Sequence, residues 1–430
     1  MFRVLVIGSG AREHAIVWAL RHSALQPQLF CAPGNGGIAA EAQCVEIASD
    51  DVAGLLAFAR RQAVDLTVVG PELPLALGLV DHFEQGGLKV IGPHQAAARL
   101  ESSKVFAKQF MARYRIPSAS FQVVDDPRAA RALLAGAALH YPLVVKADGL
   151  AAGKGVVVAG DRNEAEEAVS AFMERRTLGA AGEKLVFEEF LPGEEASYIL
   201  ICDGATYLPL ASSQDHKRVF DQDRGPNTGG MGAYSPTPVL TAPLERAVRE
   251  RIVEPTLEGL LREQLGFCGF LYVGLMLTAA GPQVLEFNVR LGDPETQAIL
   301  PRLETDLLEL LQAARAGRLV EARPRWHAGS AACVVLASGG YPGPYRKGLP
   351  ISGLEQAAEL EDVTLFHAGT LRTAQGYVTS GGRVLVVAGR GANLPRALER
   401  AYAGARLIQF EGCHYRSDIG ARGVAREQSQ

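Results

Sequence analysis

The chain has 430 residues, 48% of them hydrophobic and 21% charged, with a formal net charge of -4. Those proportions describe a folded globular protein and exclude a disordered or fibrous one, and the length corresponds to roughly three domains with clefts between them. No run of Lys or Arg supplies the grip on a phosphate backbone that nucleic acid requires, so no DNA or RNA partner is expected. The six cysteines stand singly and read as buried reduced thiols, not as a zinc site or a disulfide framework. MFRVLVIGSG has one basic residue and too short an apolar run for a signal peptide, and no segment reaches membrane-spanning length. A cytoplasmic protein without a membrane partner is therefore expected.

Over residues 1–101, short apolar runs alternate with helical patterns. Residues 2–7, 28–31, 66–69 and 88–91 read as strands of a parallel α/β sheet. Each run ends in a Gly or Pro turn: GSGAR, APGNGG, GPELP and GPH. Ligands of such sheets bind beyond the carboxyl ends of the strands, so these turns are expected to hold a substrate. GSGAREH is not a dinucleotide fingerprint, because Glu13 stands at the third glycine position and the second strand ends in Phe30 and Cys31 without an acidic residue for a ribose.

A helix is predicted over 102–114, ended by Ile116 and Pro117, which opens a second domain over 102–325. Inside it, 143–146 and 155–158 read as paired strands joined by ADGLAAGKG, with a further strand at 184–188; together they form a small mixed unit over about 120–190. Strands at 196–201, 271–278 and 283–287 and a helix near 243–264 build the body of this domain. The pattern breaks near 323–329, and strands at 331–337 and 383–388 belong to a small α+β unit over 326–425.

Lys146 closes PLVVKA, and eight residues on, Lys154 stands between Gly153 and Gly155 in a loop almost free of bulky side chains. Glycine lets backbone N–H groups approach oxyanions, and two ammonium groups can offset the charge of a transferring phosphoryl group. A glycine-rich hairpin with incidental lysines has the same composition, so the loop alone leaves both readings open. Gly155 and Val156 follow Lys154, which excludes a Walker A loop. Farther on, VLEFNVRLGDPE sets Glu286, Asn288 and Arg290 on one strand face. Two hard oxygen ligands and a guanidinium there suit magnesium beside a polyphosphate; an exposed polar face is the alternative, opposed by the flanking Val284, Leu285 and Phe287. In FEEFLPGEE, Glu188 closes a strand whose backbone could read an adenine edge, or the segment is a solvated acidic turn. Asp215, His216, Lys217 and Arg218 precede a long glycine-rich loop suited to a polar substrate. His216 is given no acid-base role, and neither metal-spaced histidines nor a G-x-S-x-G elbow occur.

Taken together, GSGAREHA, APGNGG, GPELPLALGLVD, LESSKVFAKQFM, KADGLAAGKGV, QDHKRVFDQDRGPNTGGMGAYSP, LEFNVRLGDPETQ, GGYPGPYRKG and FHAGT resemble the ATP-grasp superfamily and, within it, the phosphoribosylamine-glycine ligase family. The resemblance covers nearly the whole chain. It implies a Rossmann-like pre-ATP-grasp domain, a two-lobed ATP-grasp unit with a mobile lid, and a small C-terminal domain. It also implies a monomeric ligase of purine biosynthesis that uses ATP and Mg2+ or Mn2+ to join glycine to 5-phosphoribosylamine.

Carried over by that resemblance, Lys104 and Lys146 would contact the ATP phosphates, with Lys154 in the lid between Gly153 and Gly155. Glu188 and the backbone of Glu189 and Leu191 would hold adenine, with Glu195 near the ribose. Glu286 and Asn288 would ligate the metal, and Arg290, with Gly292 and Asp293, would face the acyl phosphate and glycine. Asp215 and Lys217 would define the substrate end, while Gly10, Arg12, Glu13 and Glu72 would meet phosphoribosylamine and Lys347 its phosphate. Leu291, Gln222 and Ser213 depart from the family pattern, and Gly274 stands near where many ATP-grasp relatives carry a second acidic ligand. The implied chemistry is attack of the glycine carboxylate on the γ-phosphorus, then attack of the amine on glycyl phosphate, with Arg290, Lys146 and Lys154 as the catalytic groups. A purine carboxylase subunit and a silent nucleotide-binding regulator are the rival readings.

Overall fold

The first strand, β1 (Arg3–Gly8), is apolar along almost its whole length and buried from Val4 onward, as a parallel strand covered on both faces must be. With β2 (Gln28–Pro33), β3 (Gln43–Cys44), β4 (Leu66–Val69) and β5 (Val90–Pro93) it makes parallel pairs in the order β3-β2-β1-β4-β5. This is a computed structural model describing residues 1–136, 139–151 and 154–429. Helix α1 (Ala11–Arg21) leaves β1 through Gly10.

The helix expected over 102–114 is α3 (Lys104–Arg113), and a separate helix, α2 (Gln95–Ser102), precedes it. Ser103 separates them in an extended conformation (φ -138°, ψ 110°), and its hydroxyl accepts from Phe106 N at 3.1 Å, capping α3. An antiparallel sheet follows, built from β6 (Phe121–Val124), β7 (Leu143–Ala147), β8 (Val156–Ala159) and β9 (Leu185–Glu189) in the order β6-β9-β7-β8. Its separate core includes Val145, Val169, Leu185 and Phe187.

The chain then runs through β10 (Glu194–Cys202), β11 (Tyr207–Pro209), β12 (Gln214–Asp215), the hairpin β13 (Arg218–Phe220) and β14 (Arg224–Asn227), and β15 (Gly232–Ser235). The helix expected near 243–264 is α4 (Ala242–Val248) and α5 (Glu254–Arg262), joined by a π-turn over Arg249–Val253. Next come the long antiparallel pair β16 (Phe267–Thr278) and β17 (Gly281–Asn288). Phe267 and Cys268 pair with β5 before β16 crosses to β10, so one nine-stranded sheet joins the N-terminal and central segments. The crossing needs bare backbone: a Cβ on Gly269 would stand 3.0 Å from Gly92 Cα.

A short helix, α6 (Glu295–Ile299), follows the Arg290 loop. The C-terminal segment adds β18 (Ser330–Ala337), β19 (Pro350–Ile351), β20 (Val363–His367), β21 (Thr370–Thr373), β22 (Gly376–Thr379), β23 (Arg383–Gly391) and α7 (Leu394–Leu407). Its five-stranded sheet has the order β12-β15-β18-β23-β20, so two of its strands come from the central segment. No helix among the described residues is long and apolar enough to cross a membrane.

Candidate active site

At the carboxyl end of β1, Glu13 turns back from the first turn of α1, accepting from Gly10 N at 2.6 Å and pairing with Arg12 Nε at 2.6 Å. A Cβ on Gly8 or Gly70 would overlap the Glu13 side chain, which explains the glycines of GSG and VGP. Arg12 Nη1 reaches on to Leu291 O at 3.2 Å, tying this loop to the end of β17. There Arg290 Nη2 donates to Glu101 Oε1 at 2.6 Å and Asn288 Oδ1 at 2.9 Å, and Nε lies 3.4 Å from Glu72 Oε2. Burial raises the Glu101 pKa. Burial also acts to raise that of Glu72, but the Arg290 and Arg12 guanidinium groups outweigh it and hold the carboxyl below its ordinary value. Burial opposes the charge on Arg290, which Glu101 and Glu72 more than restore.

The other end of the cleft is formed by α3, β7, β9 and β17. Lys146 on β7 and Glu188 on β9 share a face because Val144 is the register partner of Glu188. Lys146 Nζ donates to Glu188 Oε2 at 3.0 Å and Leu285 O at 3.2 Å, joining the antiparallel sheet to β17. Lys108 Nζ lies 2.9 Å from the same Oε2. Lys104, at the start of α3, donates to Gly149 O at 3.1 Å in the β7–β8 loop. Burial lowers the Lys104 pKa; the Glu286 carboxylate pulls it up and the Lys146 ammonium pushes it down, which puts these three groups in one electrostatic neighbourhood. Glu286 is exposed, whereas Asn288 is buried with Nδ2 unpartnered. A Cβ on Gly274 would meet Glu286 Cγ at 3.3 Å, so position 274 offers Glu286 a bare neighbour.

Leu191 is buried, and Glu189 is exposed with its carboxylate accepting from Ser120 Oγ at 3.0 Å. Lys154 is exposed in the β7–β8 loop, where its N–H donates to Ala151 O at 2.9 Å. A Cβ on Gly155 would meet Ala151 Cβ at 2.8 Å, and Gly153 lies outside the described residues.

Between the two ends, Lys217 Nζ pairs with Glu195 Oε2 at 2.6 Å and Asp215 Oδ1 at 3.0 Å. Burial opposes the Lys217 charge, but Asp215 and Glu195 hold its pKa well above the ordinary value. Burial pushes Glu295 up to about 7, aided by Asp215. Its Oε1 accepts from Ser197 Oγ at 3.1 Å, and Tyr272 OH lies 3.0 Å from that same hydroxyl. Gly292 leaves room for this carboxylate, which an added Cβ would overlap. Asp293 is held from the C-terminal segment by Arg383, whose Nη2 lies 2.9 Å from Oδ2 and whose Nη1 donates to Asp293 O at 3.0 Å. His216 is buried with a pKa lowered to about 4 by burial, and Gly420 N donates to its Nε2 at 3.2 Å. Lys347 is exposed on 339–349, a segment that reaches the glycine-rich loop through Tyr341 OH, which accepts from Gly229 N at 3.0 Å.

Family models match nearly the whole chain: the phosphoribosylglycinamide synthetase N domain over residues 2–101, its ATP-grasp (A) domain over 102–296 and its C domain over 331–422. The chain belongs to the phosphoribosylglycinamide synthetase family. It is 51% identical over 430 residues to a phosphoribosylamine-glycine ligase of Allochromatium vinosum, covering 99% of this chain and 100% of the relative. The ligase of Vibrio vulnificus strain CMCP6 is 49% identical at the same coverage. A crystal structure of the ligase from Thermotoga maritima matches with a TM-score of 0.84 at 35% identity, covering 97% and 100% of the two chains. Biotin carboxylase from Campylobacter jejuni shares the fold, with a TM-score of 0.72 at 13% identity over 99% and 98% of the chains.

In this synthetase-family chain, four charged residues of the cleft escaped the sequence reading: Glu101, Lys108, Glu295 and Arg383. Lys108 had a signal, standing one helical turn after Lys104 in SSKVFAK, and Glu295 lies inside GDPETQ. Glu101 stands inside LESSKVFAKQFM, but neither it nor Arg383 shows its partner, which lies far along the chain.

Proposed function

We propose that this chain joins glycine to 5-phosphoribosylamine, forming glycinamide ribonucleotide, ADP and phosphate through glycyl phosphate. The observation that carries the reading is the convergence of Lys104, Lys146 and Glu286 beside Arg290, which the Glu101 and Glu72 carboxylates aim from the N-terminal segment. Two ammonium groups beside one exposed carboxylate suit a polyphosphate. A guanidinium next to them suits a carboxylate being phosphorylated.

Glu286 and Asn288 fit a divalent cation that is completed by nucleotide: one carboxylate and one amide oxygen on a single face leave most of an octahedron to phosphate and water. The Asn288 oxygen keeps a second lone pair beyond its Arg290 bond, and the amide nitrogen is unengaged. Such a cation, Mg2+ in our reading and Mn2+ as the alternative, would neutralise charge between the phosphates. The protein's own residues do the rest. Lys104 and Lys146 draw charge from the γ-phosphate as the glycine carboxylate attacks it and ADP leaves; Arg290 orients that carboxylate. The amine of phosphoribosylamine then attacks the carbonyl carbon, phosphate departs, and the amine gives up a proton. Gly10, Arg12, Glu13 and Glu72 line the loop where that second substrate would lie. Closure of the Lys154 loop would exclude water from the anhydride.

An ADP-release assay containing ATP, magnesium, glycine and phosphoribosylamine generated in situ, with each omitted in turn, tests the reading. Release that stops without glycine supports it. Release that needs bicarbonate instead would make the chain a carboxylating relative, and tight ATP binding without turnover would make it a regulator.

A further inference from the structure

Lys108 takes no part in the chemistry above, yet its side chain is only 2% exposed. Its Nζ lies 2.9 Å from Glu188 Oε2, donates to Ala119 O at 3.3 Å and stands 5.8 Å from the Phe121 ring centre. Lys146 donates to that same Oε2 at 3.0 Å. Glu188 Oε1, also buried, has no partner. Buried polar groups are nearly always satisfied, so one oxygen holding two cations while its twin holds nothing leaves a donor to be supplied by an occupant of the cleft. The arrangement is held against its own electrostatics. Burial lowers the Lys108 pKa, Glu188 opposes that, and the neighbouring Lys146 ammonium lowers it again.

A purine carrying an amino group at position 6 presents an N–H donor to such an oxygen, whereas a 6-oxo purine presents lone pairs that a carboxylate repels. Resting on the reading that the nucleotide base lies along Glu188 to Leu191, we infer that Lys108 is a positioning residue for base selection. It fixes the Glu188 carboxylate through Oε2, so that Oε1 stays unengaged for an exocyclic amine.

Steady-state kinetics of the full-length enzyme with ATP and with inosine triphosphate, which carries a carbonyl at position 6, test this. Lys108→Met is expected to raise KM for ATP on the order of tenfold, the loss of one charge-assisted contact, with kcat at saturation little changed. KM for inosine triphosphate should barely move, so the preference for ATP falls. Lys108→Arg, which keeps the cation, should recover most of it. Because Lys108 acts through Glu188, the double variant Lys108→Met with Glu188→Gln should show the same preference as Glu188→Gln alone. That comparison also decides the matter if Lys108→Met by itself does not fold, since the double variant removes the buried cation and anion together. If Glu188→Gln shifts the preference while Lys108→Met does not, or if the two effects add in the double variant, the positioning role is overturned and the base site stands. If neither substitution shifts the preference, the base does not lie at Glu188 and both readings fall.

Discussion

Glu101 closes α2 and Arg290 follows β17, yet Nη2 of the arginine meets Oε1 of the glutamate at 2.6 Å, and Oε2 accepts from Val289 N at 2.9 Å. One buried carboxylate thus fixes both the guanidinium and the backbone that carries it. Removing one partner of a buried ion pair costs about 3–5 kcal/mol, because the other charge is left without compensation. Glu101→Ala is therefore expected to lower the urea midpoint clearly. Because Arg290 loses its aim, kcat/KM for glycine should also fall by about a hundredfold, the scale set by a misplacement near 1 Å. Wild-type glycine kinetics in a folded Glu101→Ala protein would contradict this role.

Two buried imidazoles weaken the fold as pH falls. Burial lowers the pKa of His216 to about 4 and that of His367 to about 3, the latter helped by His14 beside it. Both values lie below the ordinary 6.5, so the folded state binds these protons less readily than the unfolded chain. Their stabilising contribution is complete above pH 6.5 and is lost as pH falls toward 4, at about 1.4 kcal/mol per pH unit for each group. Urea unfolding between pH 7 and pH 5 should show this slope, and His216→Gln should reduce it. A slope equal in the variant and the wild type would exclude His216 as a source.

Lys154 makes no packing contribution that its exposure allows. Lys154→Ala is expected to leave stability within about 0.5 kcal/mol, as exposed substitutions do, while slowing turnover at saturating ATP. Thermal denaturation and kcat separate the two effects; a large loss of stability with normal kcat would refute a lid role.

A substitution distant from the phosphates should separate the two substrate ends. A Cβ on Gly70 would overlap the Glu13 carboxylate, and through it disturb Gly10 and Arg12. Gly70→Ala is expected to raise KM for phosphoribosylamine by tenfold or more on the order of one lost charged contact, with little change in KM for ATP. The opposite pattern would move phosphoribosylamine away from this loop.

Features carried by local pattern could be read in advance. The apolar runs with Gly turns anticipated β1, β2, β4 and β5, and the runs 143–146 and 155–158 on either side of a glycine-rich loop anticipated the β7–β8 hairpin. The alternation of Glu286 and Asn288 anticipated their common face but not their unequal burial, which depends on what packs over β17. Pairings set by tertiary packing left no such trace. Nothing in SSK marks Ser103 as a break between helices except its suitability as a cap. Lys108 reads as one more charge on a helix until α3 is packed against β9. The recruitment of β12 and β15 into the C-terminal sheet joins segments separated by the whole of β16 and β17.

The central claim is that the glycine carboxylate is phosphorylated before the amine attacks. Glycine labelled with oxygen-18 in its carboxylate, turned over with ATP and phosphoribosylamine, should deliver one labelled oxygen to each inorganic phosphate formed, because the carboxylate oxygen that captures the γ-phosphoryl group leaves with it. Inorganic phosphate free of the label, with glycinamide ribonucleotide still produced, would contradict glycyl phosphate as the intermediate.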